Sequence, residues 1–206
     1  IFYIIPFELD SFQIPNCYYD DLSSVIIPEG FIKDRVKRLS QEIFAETGDQ
    51  PLVMLCILKG SFRFFTTLVG ELTIARASCS ESLTVDFIRI RSYVNTEQSA
   101  GIEILGLSSL DELKGKNILI VEDIIDSGRT ISKLVSTLND IGVKKIWTAV
   151  LLSKRVTRLE KVMEDFVAFD IPNKFVVGYG LDYNQKFRDL NHICLVNQKG
   201  IEKYML

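Results

Sequence analysis

Only one histidine, His192, occurs in the chain, and the four cysteines, Cys17, Cys56, Cys79 and Cys194, form no C-x-x-C pair. The common spacings of a zinc site are therefore absent. There is no basic excess either. The 24 Lys and Arg stand against 27 Asp and Glu, leaving a net charge of −3, so nucleic acid is not an expected partner. No apolar run reaches the ~20 residues of a membrane span. The longest, Leu52–Leu58 and residues 118–121, are strand-sized and end in charge or glycine. Residues 1–7 are apolar but lack the basic flank and cleavage pattern of a signal peptide, and no membrane association is expected. The start at Ile1 rather than a methionine is what a shortened sequence would show. Repeats and low-complexity segments are missing. So are the glycine patterns G-x-x-x-x-G-K-[ST] and G-x-G-x-x-G, which excludes P-loop kinases and dinucleotide-dependent oxidoreductases of the usual kind.

What remains is ordinary in bulk: 206 residues, 47% hydrophobic and 25% charged. That suffices for one domain with a substantial core. Ile32, Val36, Leu39 and Ile43 recur at helical spacing and predict a helix over residues 29–47, with Gly48 as its stop. Leu52–Leu58 is apolar throughout, as a strand buried on both faces requires. A second helix is expected over residues 61–72, and strands over 83–90 and 102–107. A further strand is expected over 117–121, followed by a helix over 129–139 and a strand over 145–152. Short strands over 166–169, 175–177 and 192–196 close the order. Alternating strands and helices predict an α/β fold with a mostly parallel central sheet flanked by helices. Ligands in such sheets bind beyond the carboxyl ends of the strands. Cys56 and Cys194 lie in apolar runs and read as core thiols, which suits a reducing, cytoplasmic location.

One strand-to-helix loop concentrates chemistry: Glu122, Asp123, Ile124, Ile125, Asp126, Ser127, Gly128, Arg129 and Thr130. Ser127, Gly128, Arg129 and Thr130 open the next helix, where free N–H groups and the dipole attract an anion such as a phosphate. Carboxylates would repel that phosphate. Glu122 and Asp123 should therefore face ribose hydroxyls, or a magnesium ion that bridges to them. Asp126, between the two regions, is placed for proton transfer. A Ser-Gly-Arg-Thr stretch on its own could be a simple helix cap; the acidic pair and Asp126 ahead of it set this loop apart.

Two hydrophobic residues, two acids, two hydrophobics and then Asp-Ser-Gly-Arg-Thr resemble the ribose-phosphate signature of the type I phosphoribosyltransferases. The resemblance extends to the hypoxanthine-guanine branch through Leu58-Lys59-Gly60-Ser61, Val85-Asp86-Phe87-Ile88-Arg89, Ser92-Tyr93, Ser153-Lys154-Arg155, Phe175-Val176-Val177-Gly178-Tyr179, Leu181-Asp182-Tyr183-Asn184 and Phe187-Arg188-Asp189-Leu190. It covers nearly the whole chain, in order.

The resemblance implies a single phosphoribosyltransferase domain, with a core over about residues 30–165 and a small hood from about 1–28 and 166–206. It implies transfer of the 5-phosphoribosyl group of 5-phosphoribosyl 1-pyrophosphate to hypoxanthine or guanine, giving IMP or GMP. Magnesium would assist, held near Asp182, Glu122 and Asp123. Asp126 is the implied general acid/base at purine N7. Glu122 and Asp123 would hold the ribose, and Ser127, Gly128, Arg129 and Thr130 the 5-phosphate. Lys154 would donate to the 6-oxo group, Phe175 would stack on the ring, and Val176 and Asp182 would meet the base edge. Lys59, Gly60 and Arg188 would contact pyrophosphate, and the Leu58–Lys59 peptide bond would be cis. Residues 92–101 match a mobile lid with Ser92 and Tyr93 at its base; residues 95–101 make it one residue longer than expected. Residues 157–167 diverge and are expected at the surface. A homodimer or homotetramer is implied. The competing reading is a catalytically weak nucleotide-binding or regulatory homologue of the same fold.

Overall fold

The computed structural model describes residues 5–94, 100–158 and 162–205, and of 92–94 and 100–102 the backbone alone. Short segments come first: a 3-10 turn at Leu9–Ser11 and helix α1 at Asn16–Tyr19. Then follow β1 (Leu22–Ile27), α2 (Glu29–Thr47), β2 (Leu52–Leu58), α3 (Phe62–Ala75), β3 (Leu83–Val94) and β4 (Ala100–Leu105). After a 3-10 turn at Leu110–Leu113 come β5 (Asn117–Ile125), α4 (Arg129–Ile141), β6 (Lys145–Arg155), β7 (Phe166–Pro172), β8 (Val176–Val177), β9 (Ile193–Val196) and α5 (Gln198–Lys203).

Six strands form one sheet in the order β4-β3-β2-β5-β6-β7, parallel except for β4 on the edge. The alternating pleat explains why β2 is apolar at every position. Leu52, Met54 and Cys56 face the cluster formed with α2 and α3 through Ile32, Val36, Leu39, Phe64 and Leu68. Val53, Leu55 and Ile57 face the opposite cluster, built on Ile131, Leu134 and Leu138 of α4. Helix α2 occupies the residues its periodicity predicted, and Gly48 ends it with a positive φ of 59°. Burial raises the thiol pKa of Cys56 and Cys194 to about 12.

A second sheet, β1-β9-β8, is antiparallel and packs its own cluster of Ile14, Leu22, Val25, Val177, Phe187, Leu190 and Cys194. Its strands lie within the segments expected to form a hood, 1–28 and 166–206. Residues 166–172, expected with the hood, pair in parallel with β6 and belong to the large sheet.

Sheet order places the switch point between β2 and β5. The chain steps from β2 outward to β3 on one side and from β5 outward to β6 and β7 on the other. The loops leaving β2 and β5 therefore open side by side at the carboxyl edge, where a ligand crevice forms in this architecture.

Candidate functional site

Strand β5 runs four residues further than its apolar run predicted. Glu122 pairs with Val150, Ile124 with Leu152 and Ile125 with Ser153, so the acids belong to the ladder itself. A ladder is built from backbone groups, and a carboxylate on one face does not interrupt it. Strand β6 likewise continues to Arg155 and carries Lys154 to the same edge.

The chain turns sharply after Asp126. Gly128 adopts φ 78°, and no side chain caps the helix that follows. A side chain there would also collide with Val162. Glycine thus frees the first N–H groups of α4 to face a concavity of about 140 Å³, lined by Glu122, Ile124, Ile125, Asp126, Ser127, Gly128, Arg129, Thr130 and Ile131. Uncapped N–H groups beside two hydroxyls and a guanidinium form an anion cradle.

Ile124 also lines a second concavity, of about 180 Å³, with Asp123, Lys154, Phe175, Val176, Leu181 and Asp182. All four residues predicted to meet a base, Lys154, Phe175, Val176 and Asp182, converge there. Phe175 is no core residue: it precedes β8, is 48% exposed, and meets Tyr183 edge-on at 5.2 Å. Lys154 Nζ donates to Asp126 Oδ2 at 2.8 Å, across the join between the two concavities. The lysine is mostly covered (12% side-chain exposure), whereas the carboxylate is open (58%).

The acidic pair is held from the β2 loop. The Ser61 hydroxyl accepts the Asp123 N–H at 2.9 Å and donates to Glu122 at 3.5 Å. Burial, and then the adjacent Asp123 carboxylate, push the Glu122 pKa well above the usual carboxylate range, with Ser61 opposing them. Between the unfolded value near 4.5 and the raised folded value, the unfolded chain releases this proton first, so stability falls as pH rises through that window. Glu122→Gln removes the effect. Its melting temperature should exceed that of the parent at pH 8, and the gap should close towards pH 4.5. A parent that melts as high as the variant at pH 8 would contradict this account.

The peptide bond Leu58–Lys59 is cis, as expected. Gly60 lies so close to Asp123 that a Cβ would overlap its carboxylate. Because that obstacle is a short, movable side chain, Gly60→Ala should fold but turn Asp123 out of place. The expected loss in kcat/KM is roughly 10-fold, the scale of a sub-ångström to ångström misplacement, with the melting temperature little changed. Thermal melts beside steady-state rates check it.

Arg188 donates to Asp182 at 2.6 Å and to the Gly180 carbonyl at 2.7 Å, and so fixes the Asp182 carboxylate. One expectation is revised. Residues 157–167 are not all surface, since Arg158 and Glu164 are mostly covered (15% and 18%). Lys59 is exposed and reaches Gln185 at 3.3 Å. Ser92 pairs with Ile102 and Tyr93 with Gly101, so the arms of the expected lid form an antiparallel hairpin. Its tip, 95–99, lies outside the described residues, as does part of the expected lengthening. His192 is structural: its Nδ1 accepts the Glu29 N–H at 3.0 Å, and burial lowers its pKa. The role of Ser61 was not singled out in advance, although it stands in the Leu58-Lys59-Gly60-Ser61 stretch.

Paired acids, a carboxylate set against a lysine and an anion cradle stand together at the switch point of a parallel sheet. The model of the phosphoribosyl transferase domain matches residues 29–184, and the chain belongs to that family. Among its relatives are the hypoxanthine-guanine phosphoribosyltransferases of Cricetulus griseus and Homo sapiens, each 46% identical over 96% of this chain and 92% of theirs. The crystal structure of the Schistosoma mansoni hypoxanthine-guanine phosphoribosyltransferase in complex with IMP is similar at a TM-score of 0.78, with 36% identity over 97% of this chain and 94% of that one. A hypoxanthine phosphoribosyltransferase from Staphylococcus aureus gives 0.79, with 30% identity over 94% of this chain and 100% of that one.

Proposed function

We propose that the chain transfers the 5-phosphoribosyl group of 5-phosphoribosyl 1-pyrophosphate to N9 of hypoxanthine or guanine, yielding IMP or GMP and pyrophosphate in purine salvage. One observation carries the choice of base: Lys154 and Asp126 present a cationic donor and an anionic acceptor 2.8 Å apart. A 6-oxopurine offers the complement along one edge, an acceptor at O6 beside a proton at N7. Adenine offers an amino donor at position 6, and two donors facing each other form no bond.

In the reaction the C1–pyrophosphate bond breaks and a C1–N9 bond forms, through a transition state with cationic character at C1. Catalysis rests on positioning and charge stabilisation. Asp126 accepts the N7 proton as N9 bonds to C1, and Lys154 holds O6. Phe175 stacks on the ring, and the Val176 backbone meets its edge. Ser127, Gly128, Arg129 and Thr130 hold the 5-phosphate, while Glu122 and Asp123 hold the ribose hydroxyls. Lys59 and Gly60 contact the leaving pyrophosphate.

No group of three or more metal-ligating side chains occurs among the described residues. Magnesium takes one or two carboxylates and completes its shell with water and substrate oxygens. Asp182 and Asp123, which line one concavity, would hold such an ion, with Glu122 next in the chain to Asp123; when bound, magnesium would neutralise charge on the pyrophosphate. We also infer a cytoplasmic enzyme, supported by four free cysteines. A homodimer or homotetramer is supported by the exposed Phe62, Val85 and Phe87 around the α3–β3 edge. Nothing among the described residues favours a purely regulatory homologue.

The test is a steady-state assay with 5-phosphoribosyl 1-pyrophosphate and magnesium, offering hypoxanthine, guanine, xanthine and adenine in turn. Nucleotide from 6-oxopurines and none from adenine is the expected result. Turnover of adenine at a matching rate, or of no base at all, would overturn the reading.

A further inference from the structure

The ladder between β5 and β6 ends at Ile125 and Ser153, one residue short of Asp126 and Lys154. The side-chain pair joins these two residues, but the proposed function gives both side chains to the base. A single guanidinium spans the gap independently. Arg158 Nε donates to the Asp126 carbonyl at 2.9 Å, and its Nη2 donates to the carbonyls of Ile125 at 3.3 Å and Lys154 at 3.2 Å. Its Nη1 pairs with Glu164 Oε2 at 2.7 Å. Glu164 Oε1 in turn accepts the Ser153 hydroxyl at 2.7 Å, and the same hydroxyl accepts from Arg158 Nη2 at 3.2 Å.

We propose that Arg158, anchored by Glu164 and Ser153, is a positioning residue that sets the spacing between Asp126 and Lys154 while the base is bound. The proposal rests on the roles given above to those two residues. The planar fork of arginine makes it possible, because three carbonyls at the ends of two strands are reached from one rigid group. A lysine keeps the charge and loses the span. Glu164 matters because a mostly covered guanidinium without its counter-charge would turn towards water. Neither residue lines the phosphate cradle or the concavity proposed for the base.

The experiment compares Arg158→Lys and Glu164→Gln with the parent, measuring kcat, the KM for hypoxanthine, the KM for 5-phosphoribosyl 1-pyrophosphate and the melting temperature. Each variant should lose about 10-fold or more in kcat/KM for hypoxanthine, as misplacement of reacting groups does, with the second KM within twofold. Glu164→Asp should restore part of the loss. Adding Arg158→Lys to Asp126→Asn should cost little more than Asp126→Asn alone, because the spacing no longer serves a proton transfer. A full additional loss in the double variant, or equal rises in both KM values, would show a merely structural role and overturn the proposal. Normal turnover in Asp126→Asn alone would instead overturn the assigned role of Asp126, and the proposal with it. If Arg158→Lys does not fold, Glu164→Gln and its pairing with Asp126→Asn decide the matter in the same terms.

Discussion

Replacing Asp126 by asparagine is expected to slow turnover by about 100-fold or more, the scale of losing acid/base help, while 5-phosphoribosyl 1-pyrophosphate still binds. The cradle explains the separation. The N–H groups at the start of α4 and the hydroxyls of Ser127 and Thr130 owe nothing to the Asp126 charge, and Gly128 sets the turn by its backbone. Asparagine preserves size and can still meet a base edge, but it cannot take a proton from N7. It also takes the charge from the 2.8 Å contact with Lys154, although the amide oxygen can still accept. Lys154 thus keeps its place beside the base, so the KM for hypoxanthine should not rise in step with the fall in kcat. Single-turnover rates measured with saturating sugar phosphate separate the two quantities. Turnover at the parental rate would remove Asp126 from proton transfer.

Replacing Lys154 by methionine should lower kcat/KM for hypoxanthine by about 100-fold, the scale of one covered, charge-assisted hydrogen bond. The side chain stays unbranched and apolar along its stem, ends one atom short, and loses the donor. The same change should narrow the preference over adenine, because the 6-amino group no longer meets a competing donor. Asp126 remains open to solvent and tolerates the loss of its partner. The check is kcat/KM for both bases in both proteins. An unchanged hypoxanthine-to-adenine ratio would show that selection resides elsewhere in the pocket.

The elements easiest to read in the sequence were those whose reasons are local. Helix α2 follows from its apolar spacing and Gly48, and β2 from an apolar run that two layers of helix must cover. The loop 122–130 was legible because acids and anion-binding groups were crowded into one stretch. Strand β1 was not, since Leu22–Ile27 holds two serines and pairs with Ile193–Val196, some 170 residues away. The end of β5 was misplaced for a related reason. Glu122 and Asp123 look like loop residues until the partner strand is known. Arg158 and Glu164 were taken for surface, and nothing near them in sequence shows that they meet the ends of two other strands. For Arg188 the residue was found but not its present partner, Asp182.

The hood draws β1 from the beginning of the chain and β8 and β9 from its end. During synthesis the phosphate loop and every strand of the large sheet emerge well before residues 193–196, and a chain grows by only about 5–20 residues each second. Val176, proposed above to meet the base edge, gains its ladder partner Leu195 only then. A nascent chain on the ribosome should therefore acquire a place for the sugar phosphate first and a place for the purine last. Loss of the final dozen residues would leave a protein that recognises the donor and has no acceptor to give it to.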